Sequence, residues 1–128
     1  MAMARTVVRI LLGAAFIFFG LNGFMHFFTP PPMTGDAGTF MAGMMAAGYL
    51  MPLMSAVEIA AGLMLLIGRF VPLALLLLAP ILVNILGYHV ALDMKGIGAG
   101  AFLTVLTLFL AWSYRRSFEG VLAPTPKT

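Results

Sequence analysis

The chain is laid out as four long apolar runs, separated by short polar, glycine or proline breaks. The first run begins after Arg5 and Arg9, and no charged residue occurs from Ile10 to Gly35. It predicts a spanning helix over about Val7–Phe28, long enough for a hydrocarbon core of roughly 30 Å at 1.5 Å per residue. Pro30-Pro31-Pro32 is expected to end it, because proline cannot continue the backbone ladder. The run exceeds the apolar segment of a signal peptide and lacks an Ala-x-Ala-type cleavage site, so it reads as a retained anchor.

Thr34-Gly35-Asp36 then reads as a turn. Ala37–Ala47 has a weak helical pattern, with Asp36 as N-cap and Gly48 as stop. Its Phe40, Met41, Met44 and Met45 are spaced to share a face. The segment is too short to span, which fits an interfacial or re-entrant helix. Further spans are predicted at about Tyr49–Gly68, Phe70–Leu92 and Ile97–Tyr114. Gly68-Arg69 and Asp93-Met94-Lys95-Gly96 connect them, and a polar tail runs from Arg115 to Thr128. The expected fold is an all-α membrane protein in one domain, residues 1–128. It is a four-transmembrane-helix bundle with the short helix between the first two spans.

Composition points the same way. Hydrophobic residues make up 62% of the chain, charged residues 9%, and mean hydropathy is +1.09. A soluble domain carries roughly 25% charged residues, so lipid must act as solvent here. There is no cysteine, which excludes disulfides, thiolate metal sites and dithiol chemistry on a quinone. No phosphate-binding loop, zinc motif or nucleophile elbow occurs. The net charge of +3 does not suggest nucleic acid, because the basic residues sit at the ends of apolar runs.

Those positions carry an orientation. Arg5, Arg9, Arg69, Arg115, Arg116 and Lys127 fall on one side of a four-span topology, and only Lys95 on the other. The bias predicts that both termini are cytoplasmic. Trp112 and Tyr114, just before Arg115, fit an aromatic belt at that interface. Gly13 and Gly20 on the first span, and Ser55, Glu58 and Gly62 on the second, form stripes that let backbones approach.

Polar residues inside the spans supply the candidate chemistry. Glu58 lies near the middle of the second span, where an ionised carboxylate is costly. It must face the interior, pair, or hold a proton. Asn22, Ser55 and Asn84 lie in the same layer, roughly 9–14 Å below the outer edge. His26 follows Asn22 by four residues and shares its face. Tyr88 aligns with Asn84, whereas His89 sits about 140° round the helix from it. These residues suggest a polar track opening outward: His26 at the mouth, Asn22 and Asn84 below it, Glu58 at the floor. Such a track could pass a proton to a lipid-soluble ligand or bind a small solute. The structural alternative is that the polar groups hold helices together.

The fourth span offers only Thr104 and Thr107, and the cytoplasmic half is dry. That argues against a channel or pump acting alone. Met25, Met33, Met41, Met44, Met45, Met51 and Met54 cluster around the outer loop near His26. Thioethers suit Cu(I), but methionine as a flexible apolar filler is the stronger reading. No metal site is assigned.

Three segments resemble the DoxX-like family of small four-helix membrane proteins. They are Arg9-Ile10-Leu11-Leu12-Gly13 through Phe19-Gly20-Leu21-Asn22-Gly23, then Glu58-Ile59-Ala60-Ala61-Gly62 with Leu65-Leu66-Ile67-Gly68-Arg69-Phe70, and Pro80-Ile81-Leu82-Val83-Asn84. The resemblance runs from about Arg5 to Phe118. It implies a bacterial inner-membrane protein, and it carries over Asn22, Glu58, Gly62, Arg69 and Asn84 as pattern residues. Some relatives are named as the membrane subunit of a thiosulfate:quinone oxidoreductase, and others are linked to redox-stress complexes. The absence of cysteine speaks against thiosulfate oxidation by this chain alone.

The expected function is therefore a quinone-interacting or membrane-anchoring subunit of a redox-related assembly. Glu58 would handle protons, while Asn22, His26, Ser55, Asn84, Tyr88 and His89 line the ligand site. A soluble redox partner protein or a second copy of the chain would complete the assembly. The alternatives are a solute-binding or transport protein, and a structural membrane partner for a soluble enzyme.

Overall fold

The computed structural model describes residues 1–28 and 31–128, and among them it is helical throughout. Helix α1 is Ala2–Met25, α2 is Gly35–Ala46, α3 is Leu50–Ile67, α4 is Val71–Leu92 and α5 is Ile97–Ser113. Short 3-10 turns precede α5 (Met94–Gly96) and follow it (Arg115–Phe118), and α6 (Glu119–Leu122) closes the chain. α1, α3, α4 and α5 with its leading turn are each long and apolar enough to cross a membrane. α2 is the short helix expected between the first two spans.

Several boundaries differ from the pattern for local reasons. α1 starts at Ala2 rather than Val7, since Ala2, Met3, Ala4 and Arg5 all favour helix. It ends at Met25, before the prolines. His26 takes a left-handed conformation (φ 52°) while its N–H donates to Asn22 O at 2.9 Å. The Asn22 side chain completes that stop, its Oδ1 accepting the Phe28 N–H at 2.7 Å. Pro30, expected to help break the helix, lies outside the described residues. In α2 the N-cap is Thr34, not Asp36, which sits in the first turn. There it faces the positive end of the helix dipole. Gly48 turns the chain at φ 80°, the stop expected of it.

Between α3 and α4 the turn is very short. Gly68 (φ 76°) lets its own N–H and that of Arg69 close on Met64 O, at 3.0 and 3.1 Å. This satisfies a carbonyl that the helix end would otherwise leave open. Phe70 is also left-handed (φ 58°), sparse for a residue with a side chain. Pro72 sits in the first turn of α4, where its missing N–H costs nothing.

The spanning helices pack in the cyclic order α1–α3–α4–α5. α1 and α3 run antiparallel and touch along their length, because glycine removes the side chains between them. A Cβ added at Gly13 would lie 2.8 Å from Gly62 O, and one at Gly62 would lie 2.8 Å from Gly13 O. One at Gly20 would meet Ser55 O at the same distance. Leu12, Phe16, Leu65, Leu78 and Leu110 fill the centre, one or more from each spanning helix. In lipid such packing, not escape from water, holds helices together.

The arginines gather at one end, with Lys95 at the other. Arg9 on α1 reaches the C-terminus of α3, donating from Nη1 to Leu65 O at 2.5 Å and Leu66 O at 3.2 Å. A cation on these open carbonyls also meets the negative end of the helix dipole. Arg5 lies over the Tyr114 ring at 5.4 Å, and Arg115 over Trp112 at 4.3 Å. Arg69 follows in the α3–α4 turn. This is the basic end of the bundle, and α2 lies at the opposite end.

Candidate functional site

The expected single polar track is not formed. Helical spacing placed Asn22, Ser55, Glu58 and Asn84 in one layer, but it did not fix the direction in which each helix turns its polar face. The structure divides them between two places.

The first lies between α1 and α3. Ser55 is buried against Gly23, whose missing side chain leaves room for its hydroxyl. Asn22, half-buried, is occupied with closing its own helix. His26 is exposed beyond that helix end. Glu58 is 7% exposed, about 12 Å in from the start of α3. Around the α3 axis it stands about 60° from Ser55 and about 40° from Met54. It points into the bundle between the α1 contact and the opposite face. Among the described residues nothing hydrogen-bonds to its carboxyl.

The second place is a cavity of about 820 Å³ between α2, α3 and α4. No residue of α1 lines it, so Asn22 and His26 take no part in it. Glu58 is also absent from the lining, whereas Met54 and Val57 beside it are present. The wall on α4 runs from Leu76 to His89, about 20 Å at 1.5 Å per residue. Leu53, Leu76, Pro80 and Asn84 remain exposed, so the cavity is a groove open along one side. That side turns outward, away from the rest of the bundle.

The groove has a polar head and an apolar body. Asn84, Tyr88 and His89 stand toward the α2 end, and Val57, Leu76 and Leu77 lie deeper. Pro80 lies inside α4 within this wall. It has no N–H for the carbonyl one turn back. The Asn84 side chain sits one turn on, its Nδ2 donating to Pro80 O at 2.9 Å. The Oδ1 of Asn84 stays available. The Tyr88 hydroxyl donates to the Met33 sulfur, and the ring packs on Phe40 with centroids 5.5 Å apart. His89 holds Asp93 O through Nδ1 at 3.0 Å, with the Asp93 carboxylate 3.8 Å away. Both oxygens only accept, so Nδ1 carries the hydrogen, and a neutral His89 has only an acceptor, Nε2, left to offer.

The methionines divide as well. Met33, Met41, Met44, Met51 and Met54 line the groove, whereas Met45 is 63% exposed and leaves the face it was expected to share. On α5 the two threonines bond back to their own helix, Thr104 to Gly100 O and Thr107 to Leu103 O. Sequence reasoning missed Leu53, Val57, Leu76, Leu77 and Pro80 as wall residues. An apolar residue in a membrane helix carries no mark of whether it faces a neighbour, a groove or lipid. Pro80 alone had a signal, as a proline four residues before an asparagine.

A model of the DoxX family matches residues 4–92. The match spans α1 to α4 and stops before α5, shorter than the expected reach to Phe118. It takes in Arg9, the Gly13–Gly62 contact, Glu58, and every residue lining the groove. No curated protein matches the chain, and no solved structure matches it. With four membrane-spanning helices and the family pattern covering most of its length, this multi-pass membrane protein belongs to the DoxX family.

Proposed function

We propose that the chain is a membrane-embedded binding subunit for a lipid-soluble amphiphile of the quinone class, held in the groove between α2, α3 and α4. The shape of the groove carries this reading: about 820 Å³, elongated, polar at one end, apolar along the rest and open to lipid. Its size falls in the usual range for small-molecule sites. Methionine and aromatic side chains give a soft lining that adapts to a planar ring.

The polar head favours one oxidation state. Asn84 offers Oδ1, a neutral His89 offers Nε2, and the Tyr88 hydroxyl has lone pairs free while its hydrogen goes to Met33. These are acceptors, and a quinol brings two hydroxyl donors where a quinone brings only acceptors. Quinol binding should therefore exceed quinone binding. Glu58 stands off the wall, so any proton-handling role acts beside the ligand and not on it. The basic bias supports a topology with both termini in the cytoplasm and the groove's polar head toward the outer leaflet, in what the reading takes as a bacterial inner membrane. A soluble redox protein would be the partner that the bound quinol serves.

The test is titration of the purified protein in mild detergent with a short-tailed benzoquinol and with its quinone. An organic extract of the native protein would be analysed in parallel by mass spectrometry. Tighter quinol binding, weakened about five- to tenfold by Asn84→Leu or Tyr88→Phe, supports the reading. Glu58→Gln should keep quinol affinity within about twofold, since that residue does not touch the groove. Equal affinity for both forms, or none for either, would sink the proposal.

A further inference from the structure

The C-terminal segment was expected to be a polar tail, yet its first part folds against the bundle. After α5 the chain makes the 3-10 turn Arg115–Phe118 and then α6. Phe118 packs on the core, while Val121 and Leu122 remain 64% and 77% exposed. Apolar side chains this exposed, just past the end of a spanning helix, need an apolar cover. Between this ledge and α5 lies a groove of about 340 Å³, lined by Leu108, Ala111, Trp112, Arg115, Phe118 and Leu122. Leu108, Ala111 and Trp112 follow one another at helical spacing and lead from the span up to the basic end. Arg115 stands at the top. Its guanidinium is pinned over the Trp112 ring at 4.3 Å and donates through Nη1 to Trp112 O at 2.9 Å. A guanidinium has five N–H groups, so most remain free to bind an anion. Arg116 is the next residue.

From this juxtaposition we infer a second ligand site, distinct from the groove of α2, α3 and α4: a seat for one anionic glycerophospholipid. An acyl chain lies along Leu108 and Ala111 under Leu122, the phosphate sits on Arg115, and Arg116, outside the groove's lining, adds its charge beside it. Charge complementarity selects the occupant. Arg115, Arg116 and Glu119 leave one net positive charge at this ledge, which a singly anionic lipid offsets, whereas a zwitterionic lipid would fill the apolar slot equally well and offset nothing. The lipid also covers Leu122 and ties α6 to the membrane surface.

Trp112 is the chain's single tryptophan and lines this groove, so the protein carries its own reporter. The full chain is reconstituted into vesicles of phosphatidylcholine with a minor fraction of brominated lipid, either phosphatidylglycerol or phosphatidylcholine. Bromine on the acyl chain quenches tryptophan on contact. Brominated phosphatidylglycerol should quench Trp112 more strongly than brominated phosphatidylcholine at equal mole fraction. The preference should fall about fivefold with Arg115→Gln, and further when Arg116→Gln is added, at the usual worth of a basic residue near an anionic lipid. Arg69→Gln removes a charge from the same end of the bundle but from outside the groove, and should keep the preference. A far-ultraviolet circular dichroism spectrum like that of the unchanged protein confirms that each variant is folded, and each variant's quenching is taken relative to its own emission in vesicles without bromine. Equal quenching by both lipids overturns the proposal. So does an equal loss of preference in Arg69→Gln, which would indicate attraction to the whole basic end instead of a seat.

Discussion

Arg9 has two roles, and only one was legible. Counting charges assigned it to the basic side of the chain, but nothing in the spacing of α1 shows that its guanidinium ends on the carbonyls of Leu65 and Leu66. That contact depends on α1 and α3 being antiparallel neighbours, a property of the pair. Arg9→Gln should lower stability by about 1–2 kcal/mol, as the last turn of α3 loses a charged donor. Denaturant unfolding in detergent would measure this, with Arg9→Lys recovering part of the loss. Asn22 is the counter-case. It was read as a ligand-site residue because its spacing set it in one layer with Ser55 and Asn84. Its Oδ1 is instead engaged by the Phe28 N–H, closing the end of α1.

Among the elements, the glycines separate cleanly by what surrounds them. Gly13 and Gly62 each sit where a Cβ would collide with the other's carbonyl oxygen, while Gly43 on α2 and Gly87 on α4 face open space. Gly13→Ala or Gly62→Ala should therefore push α1 from α3 and cost about 1–3 kcal/mol. Gly87→Ala should be neutral or stabilise by up to about 1 kcal/mol, through helix propensity alone. Thermal unfolding of the three variants in one detergent makes the comparison, and a penalty at Gly87 equal to that at Gly13 would contradict the packing described. The stripe was visible in the sequence at Gly13, Gly20 and Gly62, because glycine at helical spacing is informative even without knowing the neighbour. α2 was harder. Met45 was grouped with Phe40, Met41 and Met44, and it turned outward, because the periodicity of a short helix of mixed alanine, glycine and methionine defines its face poorly.

For the whole molecule, the apolar runs specified the number of spans and the short helix between the first two, since bilayer thickness leaves little freedom. Helical spacing also set Asn22, Ser55, Glu58 and Asn84 in one layer. Azimuth was not legible. Helix rotation is settled by small packing contacts with neighbours that the chain does not name, and the layer divides into an α1–α3 seam and a lipid-facing groove. The division has a measurable consequence. Asn22→Ala should lower stability by about 1 kcal/mol, for the lost hydrogen bond at the end of α1, and leave ligand binding unchanged. Asn84→Leu should do the reverse. A ligand defect in Asn22→Ala would restore the single track.

The closeness of α1 and α3 bears on how the protein is made. Their contact surface, the Gly13–Gly62 crossing and the Arg9 cap are all complete once Ile67 has been added. The segments of α4 and α5 then remain to be translated, a few seconds of work at roughly 5–20 residues per second. The first hairpin can thus settle in the bilayer as a finished unit, and the later helices arrive to find a template already waiting.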